Sequence, residues 1–125
     1  MSHTYALDTN ALIYYIGGEE QTILRLQPIL TSGTIIVPSI VVTEFWSGKT
    51  LTEEEIEKVE LFLATVFVVP LDAAIARSAG VLRRHYKLDI GDSVIAATAL
   101  AMNAAVVTRN VADFKRVPTL LIEAI

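Results

Sequence analysis

At 125 residues, 53% of them apolar, the chain has the size and side chains for one compact core, and its lack of cysteine excludes disulfides, thiolate metal sites and cysteine nucleophiles. The longest near-continuous apolar stretches, Leu61 to Leu71 and Val94 to Val107, fall short of the roughly 18 residues that a bilayer span requires. The net charge of −4 argues against a polyanionic partner, yet setting four candidate site carboxylates aside from the 14 acidic residues leaves ten against ten basic ones.

In chain order, polar Ser2, His3 and Thr4 lead directly into an apolar run with no basic leader, so no export and a cytoplasmic location are expected. Short apolar runs predict buried strands at Tyr5 to Leu7, Ile35 to Val37, Val66 to Val69, Ala105 to Val107 and Leu120 to Ile122. Between them, Ala11 to Ile16 is amphipathic and Ile40 to Trp46 is apolar. Ile56, Val59 and Leu63 recur at helical spacing, as do Ile75, Ala79, Leu82 and Tyr86. Ile90 to Asn103 is apolar on most sides and rich in alanine, which suits a central helix. There is no repeat or Pro/Gly/Ser-rich linker, so one domain over residues 1–125 is expected. Strands alternating with helices predict an α/β fold with a mostly parallel sheet, whose ligands bind beyond the carboxyl ends of the strands.

Four acids fall at such places. Asp8 leaves the first strand, Glu44 lies in the segment after the second, Asp92 opens the alanine-rich helix, and Asp113 follows the fourth strand. Convergent carboxylates repel unless a cation joins them. An all-oxygen donor set suits Mg²⁺, with Mn²⁺ as substitute, over zinc. Such ions promote phosphodiester hydrolysis. Each acid also has a plainer role open to it. Asp8 suits a helix N-cap, Asp89 and Asp92 are spaced like a capping box, and Glu44 and Asp113 suit solvent-facing positions.

Four segments in order resemble PIN-domain proteins, and the VapC-type toxins in particular. They are Leu7-Asp8-Thr9-Asn10-Ala11-Leu12-Ile13-Tyr14, Val41-Val42-Thr43-Glu44-Phe45, Leu88 to Ala99 around Asp92, and Val107-Thr108-Arg109-Asn110-Val111-Ala112-Asp113-Phe114. The resemblance implies a three-layer α/β/α fold with Asp8, Glu44, Asp92 and Asp113 as catalytic and metal-holding residues, Asp8 and Asp92 being the direct ligands. It further implies Thr9, Asn10, Thr108 and Asn110 as polar supports of those ligands. The implied reaction is endonucleolytic hydrolysis of RNA that leaves a 5′-phosphate, with the ribose 2′-OH not needed as nucleophile. The implied partners are a small antitoxin and a second copy of the chain, with no membrane.

Rival readings stay open. A haloacid-dehalogenase-like phosphatase needs a second Asp where Asn10 stands, and a receiver domain needs an early acidic pair that is missing. A PIN-fold RNA-processing nuclease outside toxin systems and a non-catalytic PIN-fold binding module are the remaining alternatives. Lys49, Arg83, Arg84, Lys87, Arg109, Lys115 and Arg116 are candidate phosphate contacts, although most suit plain solvated surface. His3 and His85 read as surface residues, and Trp46 as core or interface.

Overall fold

The structure, a computed structural model, describes residues 3–125; Ser2, on which the expectation of no leader partly rests, lies outside the described residues. Five strands, β1 (Thr4–Leu7), β2 (Thr34–Pro38), β3 (Phe67–Val69), β4 (Ala105–Thr108) and β5 (Ile122–Ala124), form one sheet in the order β3-β2-β1-β4-β5. Every pairing is parallel. The helices are α1 (Thr9–Ile16), α2 (Glu20–Ser32), α3 (Ser39–Trp46), α4 (Glu53–Leu63), α5 (Ala73–Tyr86), α6 (Ile90–Ala101) and α7 (Val111–Phe114).

The central strands are buried on both sides, which is why their sequences read as unbroken apolar runs. Ala6 is paired with Ile36 on one side and Val106 on the other, Leu7 is paired with Val107, and all of these are buried. The chain steps outward from β1 to β3, then jumps back over β1 to β4. With right-handed crossovers, that reversal puts the helices following β1 and β2 and those following β3 on opposite sheet faces, giving three layers. It also makes the β1/β4 boundary a topological switch point, where a crevice opens beyond the carboxyl ends of the strands.

Local chemistry fixes the helix ends. Thr52 and Glu55 form a reciprocal capping box on α4, Asp72 accepts from Ile75 N at 2.8 Å on α5, and Lys87 closes α5 in the left-handed conformation. Val59, Ile75 and Ala79 are buried at the expected helical spacing.

One element was not foreseen and two expectations need correction. The helix α2 has no counterpart among the predicted elements; its buried residues are only Thr22 and Leu26. The proline inside it, Pro28, costs the Leu24 carbonyl its intrahelical donor, and Leu24 is 67% exposed. The last strand starts two residues later than expected, since Leu120 is in a turn bonded to the Val117 carbonyl and drops its side chain into the core. Of the two readings of Trp46, core or interface, the core is excluded, since the residue is 40% exposed and meets Phe45 edge-on. His3 and His85 are exposed, as expected, and among the described residues no helix is long and apolar enough to cross a membrane.

Candidate active site

Carboxylates gather at the β1/β4 boundary, beyond the carboxyl ends of the strands. Asp8 directly follows β1, and its backbone N–H still reaches the Val107 carbonyl at 3.0 Å, so the strand ladder holds it rigidly. Its side chain is 4% exposed and does two jobs: Oδ1 accepts from Thr9 N at 2.8 Å, capping α1, and Oδ2 accepts from the Thr108 hydroxyl at 2.7 Å. Capping and site membership are therefore not alternatives for this residue. Thr108, fully buried at the end of β4, in turn accepts from Asn110 N at 2.8 Å.

Each of the other acids is set by a different element. Glu44, on α3, accepts from the Thr9 hydroxyl at 2.5 Å. Its second oxygen lies against Gly91, so close that a Cβ there would stand 2.8 Å from it. Asp113, on α7, accepts from Asn110 Nδ2 at 2.7 Å and pairs with Arg116 at 3.4 Å. Asp92 lies in the first turn of α6, but the cap of that helix is Asp89, which accepts from Asp92 N at 2.8 Å. Relieved of capping, the Asp92 carboxylate has no hydrogen-bond donor among the described residues.

Electrostatics tie these groups together. Burial, then the negative charges of Asp89, Asp8, Asp113 and Glu44, push the Asp92 carboxyl up to about 7. Burial also raises Asp8, against the hydrogen bonds from Thr108 and Thr9, with Glu44 and Asp89 adding to the rise. The other three predicted acids thus all act on Asp92. A fifth, Asp89, acts on both Asp8 and Asp92, and sequence reasoning passed it over because its spacing is that of an ordinary helix cap.

Of the four polar residues considered as supports, Thr9 bonds Glu44, Thr108 bonds Asp8 and Asn110 bonds Asp113. Asn10 differs, because its Oδ1 is buried without a hydrogen-bond partner.

As the side chains stand, no three metal-ligating groups among the described residues are gathered tightly enough to grip one ion. The donor set still fits a hard divalent cation. Mg²⁺ characteristically takes one or two carboxylates and keeps water in its remaining positions. Here burial and neighbouring carboxylates raise Asp8 and Asp92, with no cation among the causes to offset them, and an unsatisfied amide oxygen lies on the adjoining helix turn. Such a crevice is incomplete without positive charge.

Fold and crevice together define a class, and comparison with known proteins agrees. The chain belongs to the PIN-domain family, whose model matches residues 5–120. Among its relatives, Ribonuclease VapC2 of Rickettsia felis is 33% identical, the match covering 95% of this chain and 96% of that one. The structure of VapBC2 from the same organism, bound to a promoter DNA fragment, superposes with a TM-score of 0.81 at 29% identity over 98% of both chains. A toxin–antitoxin complex from Klebsiella pneumoniae superposes with a TM-score of 0.80 at 26% identity, over 97% of this chain and 99% of that one. Ribonucleases of the family generally depend on a divalent metal.

Proposed function

We propose that this chain is a Mg²⁺-dependent endoribonuclease, with Mn²⁺ as a substitute metal, and the toxin half of a toxin–antitoxin pair in the cytoplasm. The observation that carries the reading is the Asp92 carboxyl, pushed up to about 7 by burial and by four other carboxylates at the switch-point crevice. Carboxylates set to repel one another at the carboxyl end of a parallel sheet are the mark of a functional site.

In this reading Asp8 and Asp92 hold the metal directly, with Glu44 and Asp113 completing its surroundings. When bound, the cation supplies Lewis acidity toward water and the phosphodiester. The chain's own groups do the rest. Thr108 and Thr9 N fix the Asp8 carboxylate, Thr9 fixes Glu44, and Asn110 fixes Asp113, so the acceptors are oriented before substrate arrives. With a pKa near 7, Asp92 stands ready to take or return a proton near neutral pH when no metal holds it. Asn10 Oδ1 offers a buried acceptor for a water or a substrate hydroxyl.

The named ribonuclease relative supports RNA as substrate, and the toxin–antitoxin relatives support a small antitoxin as partner. An open apolar groove of about 490 Å³ between α1, α2 and α4, lined by Tyr15, Ile23, Leu61 and Phe62, gives such a partner side chains to cover. A second copy of the chain suits the exposed Leu71, Val81 and Ile90.

The test is cleavage of labelled single-stranded RNA in Mg²⁺ or Mn²⁺, beside an EDTA control and the variants Asp8→Asn and Asp92→Asn. Metal-dependent cleavage lost in both variants is expected. Cleavage that persists in either variant, or in EDTA, would remove the metal-carboxylate reading. A correctly folded wild type inert on every RNA and indifferent to metal would favour the non-catalytic binding module.

A further inference from the structure

A crevice where five carboxylates gather repels the very polyanion it is proposed to cleave, so the strand needs a cation where it leaves the site. The basic residues differ sharply in readiness for that role. Arg116 is committed at both terminal nitrogens, Nη1 to the Lys87 carbonyl at 3.0 Å and Nη2 to Asp113 at 3.4 Å. Lys49, Arg83, Arg84, Lys87 and Lys115 are exposed, and no side-chain partner fixes them among the described residues.

Arg109 is held and yet open. It follows Thr108, the residue that holds Asp8, so its backbone lies at the mouth of the crevice. Its guanidinium carbon sits 4.3 Å over the Tyr14 ring, and Nη1 donates to both Glu19 oxygens, at 2.9 and 3.1 Å. Glu19 is steadied in turn by the Thr22 hydroxyl at 2.8 Å. Ring and carboxylate fix the plane of the guanidinium, while Nε and Nη2, the edge that forks onto a phosphate, have no partner among the described residues. A cavity of about 350 Å³ opens beside it, and Arg25, exposed and likewise without a partner, lines the same cavity.

We propose that Arg109, oriented by Tyr14 and Glu19, forms with Arg25 a subsite for a backbone phosphate of single-stranded RNA next to the scissile bond. The inference rests on the ribonuclease reading above. It makes Arg109 a binding residue outside the metal crevice, acting on substrate affinity and not on the chemical step.

The alternative is a latch, an exposed ion pair that only ties the loop after β4 to the turn between α1 and α2. The two accounts differ in sign. Arg109→Gln breaks the pair and removes the cation, whereas Glu19→Gln breaks the same ion pair and leaves the cation in place.

The experiment measures initial rates on a fluorescent single-stranded oligoribonucleotide from 50 to 200 mM KCl for wild type, Arg109→Gln, Arg25→Gln and Glu19→Gln. Arg109→Gln should raise KM roughly tenfold with kcat within about twofold, and should reduce the slope of log(kcat/KM) against log[salt] by about 0.7. Arg25→Gln, on an exposed helix face, should move both quantities in the same direction even if Arg109→Gln folds poorly, and Glu19→Gln, whose amide oxygen can still accept from Nη1 while a negative charge beside the phosphate is removed, should hold or lower KM. Unchanged KM and slope in both arginine variants, with an active wild type, overturn the subsite alone. A rise in KM shared by Arg109→Gln and Glu19→Gln, or a loss of kcat at constant KM, assigns the pair to a latch and overturns it too. Weakened binding of a protein partner with the RNA parameters untouched gives the surface to that partner instead. A wild type that neither cleaves nor binds RNA removes the ribonuclease reading, and the subsite with it.

Discussion

Gly91 offers a way to move one carboxylate without disturbing the fold. A Cβ at this position would stand 2.8 Å from Glu44 Oε2 and 3.4 Å from the carboxyl carbon, with no backbone atom among its nearest contacts. Gly91→Ala should therefore push the end of the Glu44 side chain away by about half an ångström or more, against the Thr9 bond that holds its other oxygen. Stability should not suffer. Gly91 is in the first turn of α6 with no positive φ, and alanine there favours the helix by up to about 1 kcal/mol. Misplacing a catalytic group by about 1 Å typically costs about a hundredfold, so a fall in kcat of roughly 10- to 100-fold is expected with an unchanged or raised unfolding midpoint. RNA cleavage rates and urea denaturation on the same preparations give both numbers. A double-mutant cycle adds the cause: in a Glu44→Ala background, Gly91→Ala should have little further effect on rate. Full activity in Gly91→Ala, or an equal loss in both backgrounds, would refute the idea that Gly91 is small to make room for Glu44.

Two more consequences follow from the electrostatics and the buried hydrogen bonds. The Asp92 carboxyl titrates near 7 in the fold against an ordinary 3.8, so between pH 4 and 7 the metal-free folded protein holds a proton that the unfolded chain has released, and stability falls as pH rises through that window. Asp92→Asn should remove the fall, adding about 2 kcal/mol at pH 8 once the shift is discounted by roughly half for its partly exposed position, and nothing at pH 4. In the wild type, saturating Mg²⁺ should raise Tm at pH 8 far more than at pH 5, as scanning calorimetry can check, and a Tm indifferent to metal at both would count against the site. Thr108→Val nearly keeps shape but strips a buried partner from both Asp8 and Asn110 N, so urea denaturation should show a loss of about 1 to 3 kcal/mol.

The parts of the molecule legible in the sequence are those where burial dictates composition. β1, β2 and β4 are covered on both faces and read directly as apolar runs, and the acids at their carboxyl ends fall where a parallel sheet binds ligands. The α2 helix was hidden because it buries little, only Thr22 and Leu26, and so carries a weak apolar stripe. What holds the site was hidden for another reason. Thr9 meets Glu44 across 35 residues, Thr108 meets Asp8 across 100, and Arg109 meets Glu19 across 90, and no periodicity encodes contacts at such separations.

Asp89 shows how one residue type can serve fold and charge at once, and how the two can be separated. It caps α6 through Asp92 N at 2.8 Å, and its charge raises both Asp92 and Asp8. Because Asp89 does the capping, Asp92 keeps its oxygens free for the crevice; had Asp92 been the cap, its carboxylate would face backbone amides. Asparagine caps about as well as aspartate but carries no charge. Asp89→Asn should thus keep the helix end and relieve repulsion, leaving stability at pH 8 unchanged or higher and lowering the Asp92 pKa. Asp89→Ala relieves the same repulsion but loses the cap, a cost of about 0.5 to 2 kcal/mol. Titration of Asp92 by carbonyl-carbon NMR in both variants, beside urea denaturation, tests the division: the pKa should fall alike in the two, and only the alanine variant should lose stability. A pKa that stays near 7 in Asp89→Asn would mean that burial and the other three carboxylates hold Asp92 up and that Asp89 is a cap and nothing more.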